Sequence, residues 1–271
     1  MDMHMDYEAC RVEFSGQVAT VTITPPRELG SGTADLHWEL GEIFGDLRGE
    51  NDIRVVVLTG WPGDFYAPAS PEFYDNPELR RYVTEPAGAW KTFTGILRTH
   101  QGMAELEKPI IGKITGDAIG FGSSLAFGCD LIVSVDDARF ADVHLAMGEL
   151  GVGPRFGIAA GDGGASLIPL FMSPAKAKEY LFLAKTYTGR ELADSGIINY
   201  AVPAAELDKV VDDMVTALLA RGAYALAWTK RAANRHVVAQ LNMTLDASAA
   251  YEMVNFLHIE RQDGVDPRSL T

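Results

Sequence analysis

Residues 108–164 decide the fold: KPIIGKITGDAIGFGSSLAFGCDLIVSVDDARFADVHLAMGELGVGPRFGIAAGDGG. An apolar, β-branched run at 110–115 opens the stretch and reads as a strand. Gly116, Gly120 and Gly122 then turn the chain into a helix of small residues. Residues 130–135 form a second apolar strand. A polar loop bearing His144 follows. A second glycine-rich turn sets Asp162 at the mouth of another helix. This order predicts parallel strands joined by a βαβ crossover.

Working outward, residues 11–14 and 17–23 flank Ser15-Gly16 and predict a hairpin, its second arm alternating Val18, Thr20, Thr22 against Ala19, Val21, Ile23. Residues 33–47 carry Leu36, Leu40, Ile43, Phe44 and Leu47 at helical spacing, with His37 in the first turns. IRVVVLT at 53–59 has the composition of a strand buried on both faces. Residues 64–77 are not periodic and read as a loop. A longer helix over 87–107 has apolar positions at Trp90, Phe93, Ile96, Leu97 and Met103. Beyond 164 helices are predicted over 165–172, 174–184, 189–195, 207–221 and 226–263, with one short strand at 197–202. The expected division is an α/β core over 1–203 and a helical C-terminal region over 204–271. In that region Leu241, Leu245, Tyr251, Met253, Val254, Phe256 and Leu257 exceed what one helix face needs. The surplus packs on the core or buries a subunit interface.

The totals exclude several classes of function. With 271 residues, 47% apolar and 22% charged, the chain can bury one large core. A net charge of −14 argues against nucleic acid and anionic membranes as partners, since neither set of phosphates would be neutralised. Cys10 and Cys129 are too few for a disulfide framework or a zinc cluster, so a reduced, cytoplasmic setting is the expectation. MDMHMDYEAC lacks the basic and apolar regions of a signal peptide. No stretch approaches the roughly 20 apolar residues of a membrane span.

The glycines at 116, 120 and 122 have three readings. As a dinucleotide fingerprint they lack the third glycine and a well-spaced acidic residue. As packing residues they permit a tight strand-to-helix turn. As a helix N-terminus they bare backbone N–H groups toward a negative oxygen, which is how an oxyanion hole is built. G-x-S-x-G and H-E-x-x-H are both absent, so neither a nucleophile-elbow hydrolase nor a metal site is expected. Asp162 reads either as an N-cap or as the group that fixes a tautomer of His144, leaving the other ring nitrogen to take a proton from water. The cap is the simpler of the two. His37 and Glu252 are further polar residues on apolar helical faces.

An ordered set of segments carries a family resemblance: VVVLTG at 55–60, FYAPAS at 65–70, KPIIGKITGDAIGFG at 108–122, CDLIV at 129–133, ARFAD at 138–142 and TGRELADSGIINYAV at 188–202. The set resembles the crotonase (enoyl-CoA hydratase/isomerase) superfamily over nearly the whole chain. The resemblance implies an α/β spiral of ββα units with a helical C-terminal trimerisation region, and hence a homotrimer or a hexamer. It implies an oxyanion hole from the backbone N–H groups of Ala69 and Phe121. It also places Ser124 and His144 where hydratases of the family have two glutamates, so their two-carboxylate water addition cannot run here. NFLHIERQDG at 255–264 departs from the family's usual tail.

One branch matches better. The chain is similar to the 6-oxocamphor hydrolase-like β-diketone hydrolases, which cleave a carbon–carbon bond by a retro-Claisen reaction. The matching residues are His37 in LHWEL, His144 in FADVH, Asp162 in GDG and Glu252 in AYEM. Phe121 stands where that branch has a histidine, and Gly153-Pro154-Arg155 lengthens the loop before Asp162. The resemblance implies that Asp162 orients His144 to deprotonate water, that Ala69, Phe121 or His37 stabilises the oxyanion, and that Glu252 holds a histidine or the water. Ser124, Phe65, Tyr66 and Trp90 are expected to meet a small lipophilic substrate, although the aromatic residues also suit a core. No cofactor is expected. The alternative is an acyl-CoA-dependent member with CoA as part of the substrate, its phosphates met by cations such as Lys91, Arg98, Lys113, Lys230 and Arg231.

Overall fold

The computed structural model describes residues 5–24, 36–61, 63–66, 86–150 and 157–260, with only the backbone for 5, 6, 148, 150 and 256–260. Among the described residues the strands are β1 (Met5–Asp6), β2 (Cys10–Ser15), β3 (Val18–Ile23), β4 (Val55–Thr59), β5 (Ile110–Ile114), β6 (Ala118–Ile119), β7 (Leu131–Val135), β8 (Arg139–Ala141), β9 (Tyr187–Thr188) and β10 (Tyr200–Val202). They form a seven-stranded sheet in the order β1-β2-β3-β4-β5-β7-β10 and a small sheet in the order β6-β8-β9. β2 and β3 are the expected hairpin, paired from Cys10 with Ile23 to Ser15 with Val18. From β3 to β10 every neighbour in the large sheet is parallel. All five residues of β4 are buried, which is what a β-branched run covered on both faces requires.

The crossover from β5 to β7 passes through β6 and the helix Phe121–Gly128. Residues 121–127 of that helix are all buried. Its small side chains let it press onto the neighbouring backbone: a Cβ on Gly122 would lie 2.3 Å from the Tyr66 carbonyl oxygen. The Gly120 N–H donates to the Ala141 carbonyl at 2.9 Å, so the start of this helix lies beside the end of β8.

The helices Leu36–Gly49 and Pro86–Glu105 cross closely on one side of this crossover. A Cβ on Gly95 would sit 2.5 Å from the His37 carbonyl carbon, and one on Gly41 would sit 2.8 Å from Arg98 Cβ. That approach carries His37 and His100 toward the crossover helix.

The structure corrects several boundaries. The polar loop bearing His144 is a turn of 3₁₀ helix, His144–Ala146, running into Met147–Leu150. The last strand is confined to Tyr200–Val202. The expected helix over 226–263 is two, Ala223–Ala233 and Arg235–Glu260. Asn234 separates them, its side-chain amide donating to Ala104 O and Asp130 Oδ1, both at 3.1 Å. β1, β6, β8 and β9 escape a sequence reading because two or three residues cannot show a period.

Arg235–Glu260 packs on Pro86–Glu105 and on the helix Gly164–Phe171. It buries Leu241, Leu245, Ala249 and Met253 and leaves Met243, Tyr251 and Val254 exposed. Lys230 fastens this region to the core. Its Nζ lies 2.7 Å from Asp130 Oδ2 and donates to the carbonyls of Met103 (3.1 Å) and Lys108 (2.9 Å). Removing one partner of a buried pair leaves the other charge without compensation. Lys230→Ala should therefore lose about 3 kcal/mol or more of unfolding free energy in urea titration. Lys209→Ala, whose pair with Asp213 is solvent-exposed, should stay close to wild type in the same titration.

Candidate functional site

The chain leaves β8 at Ala141, and Asp142 and His144 follow two residues apart, His144 opening the 3₁₀ turn. Asp142 Oδ1 accepts from His144 Nδ1 at 2.8 Å and from the His144 backbone N–H at 3.2 Å. The turn before Gly164–Phe171 brings Asp162 to the other end of the ring, with Oδ2 3.0 Å from His144 Nε2. Asp162 Oδ1 accepts from the Ser124 hydroxyl at 3.0 Å. Asp142, His144 and Asp162 are each no more than 3% exposed. Asp162 does not cap its helix: the N-cap is Gly163, and no side chain caps it.

With a carboxylate oxygen at each ring nitrogen, His144 must donate twice. Burial opposes a charged imidazole, but Asp162 and Asp142 outweigh it and hold His144 protonated well above its ordinary 6.5. Burial would raise the Asp162 carboxyl, but the His144 charge brings it below its ordinary 3.8. The expected single Asp162–His144 pair is thus a chain of three, and neither ring nitrogen is left over for water in this state.

Glu252 arrives from the Arg235–Glu260 helix and is 6% exposed. Gly161 leaves it room, since a Cβ there would lie 2.6 Å from Glu252 Cβ. Burial, followed by the charge of Asp162, pushes the Glu252 carboxyl well above its ordinary 4.5. The shifts favour the protonated form of both Glu252 and His144. Among the described residues its Oε2 and Asp142 Oδ2 have no hydrogen-bond partner.

Phe121 opens the crossover helix, where first-turn N–H groups have no intrahelical acceptor. Its ring packs 4.2 Å from that of half-buried His37 and meets Tyr66 edge-on at 6.1 Å.

Two residues of the site were not singled out from the sequence. Asp142 stands two positions before His144, and an acid that near a histidine in the sequence was its signal. His100 falls on the helical stripe of Phe93, Ile96 and Met103, and a histidine within an apolar stripe was its signal. Its Nε2 lies 2.5 Å from the Asp162 carbonyl oxygen.

Other expected site residues lie elsewhere. Phe65 belongs to the hydrophobic core. Trp90 is 60% exposed, pairs with Trp38, and stands ten positions, about 15 Å, along its helix from His100. Ala69 and the Gly153-Pro154-Arg155 insertion lie outside the described residues. The cations considered for CoA phosphates have partners within the chain. Lys91 and Arg98 lie over Trp38, Lys113 meets Asp208, Arg231 meets Glu107, and Lys230 is buried on Asp130. Among the described residues no group of three or more His, Cys, Asp or Glu side chains is arranged to hold a metal ion, and no helix is long and apolar enough to cross a membrane.

The chain resembles known proteins over most of its length. The sequence profile of the enoyl-CoA hydratase/isomerase family matches residues 13–267. The short-chain-enoyl-CoA hydratase of Clostridium acetobutylicum is 25% identical over 245 residues, covering 90% of this chain and 87% of the relative. The crotonyl-CoA hydratase of Syntrophomonas wolfei is 27% identical over 249 residues, covering 90% and 89%. Among solved structures, an enoyl-CoA hydratase/isomerase from Mycobacterium paratuberculosis superposes with a TM-score of 0.79 at 25% identity, covering 93% of this chain and 96% of the other. A beta-diketone hydrolase from the cyanobacterium Anabaena, bound to (S)-3-oxocyclohexyl acetic acid, also gives 0.79, at 21% identity and 94% and 96% coverage. At that identity the likeness is one of fold.

The charge chain has a consequence for stability. His144 is raised in the folded state, so its contribution is complete below about pH 6.5 and is lost as the pH climbs through its raised value. Asp162 is lowered, so its contribution is present above about 3.8 and is lost as the pH falls through its lowered value. In urea titrations the stability difference between wild type and His144→Gln should shrink as the pH rises beyond about 6.5. A difference that stays constant there contradicts a raised His144.

Proposed function

The chain belongs to the enoyl-CoA hydratase/isomerase family, and from that premise we propose that this crotonase-superfamily enzyme hydrolyses the carbon–carbon bond between two carbonyl groups of a small, cyclic β-diketone. The observation that carries the reading is the buried Asp142–His144–Asp162 chain, whose His144, like Ser124, stands where the resemblance implies a glutamate in the hydratases.

The His144–Asp162 pair holds one proton between Nε2 and Oδ2. When that proton moves onto Asp162 Oδ2, His144 Nε2 is freed to take a second proton from water as the hydroxide attacks one carbonyl. The tetrahedral intermediate collapses, the carbon–carbon bond breaks, and its electrons pass to the second carbonyl as an enolate. The enolate carbon then takes the second proton, which returns the pair to its starting state. Asp142 keeps Nδ1 protonated, so proton traffic is confined to the Nε2 end. Such acid–base work contributes roughly 10²–10⁴-fold. The N–H groups of Phe121 and Ala69, with His37 beside Phe121, hold the oxyanion, and one donor of this kind is worth about 3 kcal/mol of barrier. Glu252, as a neutral acid, offers an O–H to the water or to the enolate. No cofactor is needed for this sequence of steps.

The hydratase relatives support a second reading, an acyl-CoA-dependent enzyme in which the oxyanion hole holds a thioester enolate and His144 serves as acid and base. In either case we place the enzyme as a homotrimer or a dimer of trimers. Tyr224, Trp228, Met243, Tyr251 and Val254, all exposed on the C-terminal helices, supply apolar surface for such contacts.

A panel of cyclic and bicyclic 1,3-diketones, incubated without CoA and followed by loss of enol absorbance, tests the proposal, with crotonyl-CoA run alongside. Turnover of a diketone should fall roughly 10²–10⁴-fold in His144→Ala and Asp162→Asn. Turnover of the thioester alone would transfer the assignment to the second reading.

A further inference from the structure

His100 is 1% exposed and comes from the middle of the Pro86–Glu105 helix. Its Nε2 lies 2.5 Å from the Asp162 carbonyl oxygen. A carbonyl only accepts, so Nε2 carries the hydrogen and the ring, if neutral, leaves Nδ1 bare. Nδ1 is buried toward Gly128 and has no partner among the described residues. A proton there would be an unpaired buried donor, and burial accordingly pushes this histidine below its ordinary range. The same ring meets Phe121 edge-on, centroids 5.9 Å apart at 76°. The turn it grips has been cleared for it. Gly163 sits at φ 124°, and a Cβ there would come within 2.4 Å of His100 Nε2.

We propose that His100 is a positioning residue that joins the two halves of the site. Its Nε2–H fixes the Asp162 carbonyl, and with it the carboxylate that meets His144, while its ring braces the helix start at Phe121. The proton-holding pair and the backbone donor then keep one spacing. The catalytic consequence rests on the function proposed above; the geometric one does not.

The test uses the full-length protein with nitrogen-edited NMR of the histidine rings, together with His100→Gln and His100→Leu. In wild type His100 should read as the neutral Nε2–H tautomer. In His100→Leu the low-field ring N–H signals of His144 should shift or broaden. His100→Gln, which keeps a donor near Nε2, should restore them. On a substrate that wild type turns over, His100→Leu should lower kcat roughly 10- to 100-fold with little change in KM, and Gln should recover most of it. An Nδ1–H tautomer or an imidazolium at His100 overturns the proposal. So does a folded His100→Leu whose His144 signals are unchanged. If His100→Leu does not fold, the wild-type tautomer and the Gln variant still decide. If no diketone or thioester is turned over, the proposed function fails while the NMR result stands.

Discussion

One imidazole surrounded by buried acids is the constraint on which the site depends. Asp142 and Asp162 take both nitrogens of His144, and Glu252 lies close enough to feel all three charges. Buried charges are tolerated only when paired and hydrogen-bonded. The arrangement that satisfies this rule is an imidazolium between two acceptors, with the remaining carboxyl kept neutral. Moving the environments of neighbouring titratable groups in opposite directions is also how acid and base roles are separated at one pH.

Holding that arrangement takes four separate parts of the chain. The small sheet delivers Asp142 and His144, and the hydrogen bond from Gly120 to Ala141 sets them beside the start of the crossover helix. That helix supplies Ser124 to Asp162. The close crossing at Gly95 and Gly41 carries His37 and His100 inward. The C-terminal region brings Glu252, and buried Lys230 ties that region to the core through Asp130 and two carbonyls. Small residues recur wherever two of these parts meet, because side chains there would hold the backbones apart.

The family relation and the chemistry separate at this point. Relatives at 25–27% identity over nine-tenths of the chain share the scaffold and carry hydratase names. A fold does not fix the reaction performed on it. The buried charged groups here are a histidine and two aspartates, and the proposed reaction rests on them.

The sequence by itself determined the parallel core. VVVLT and IIGKI are β-branched enough to read as strands buried on both faces, and glycines mark the turns between strand and helix. It also picked out His144, Asp162 and Glu252 through their motif positions. Tertiary structure alone decided which ends of the groups meet. An N-cap and an ion-pair partner are the same residue type at the same place in the chain, so only the fold could turn the Asp162 carboxylate away from its own helix and onto His144. Asp142 and His100 differ in this respect. The Asp142–His144 contact spans only two residues and was within reach of the sequence, whereas the contact of His100 with the Asp162 carbonyl joins a distant helix to a turn, which no local period records.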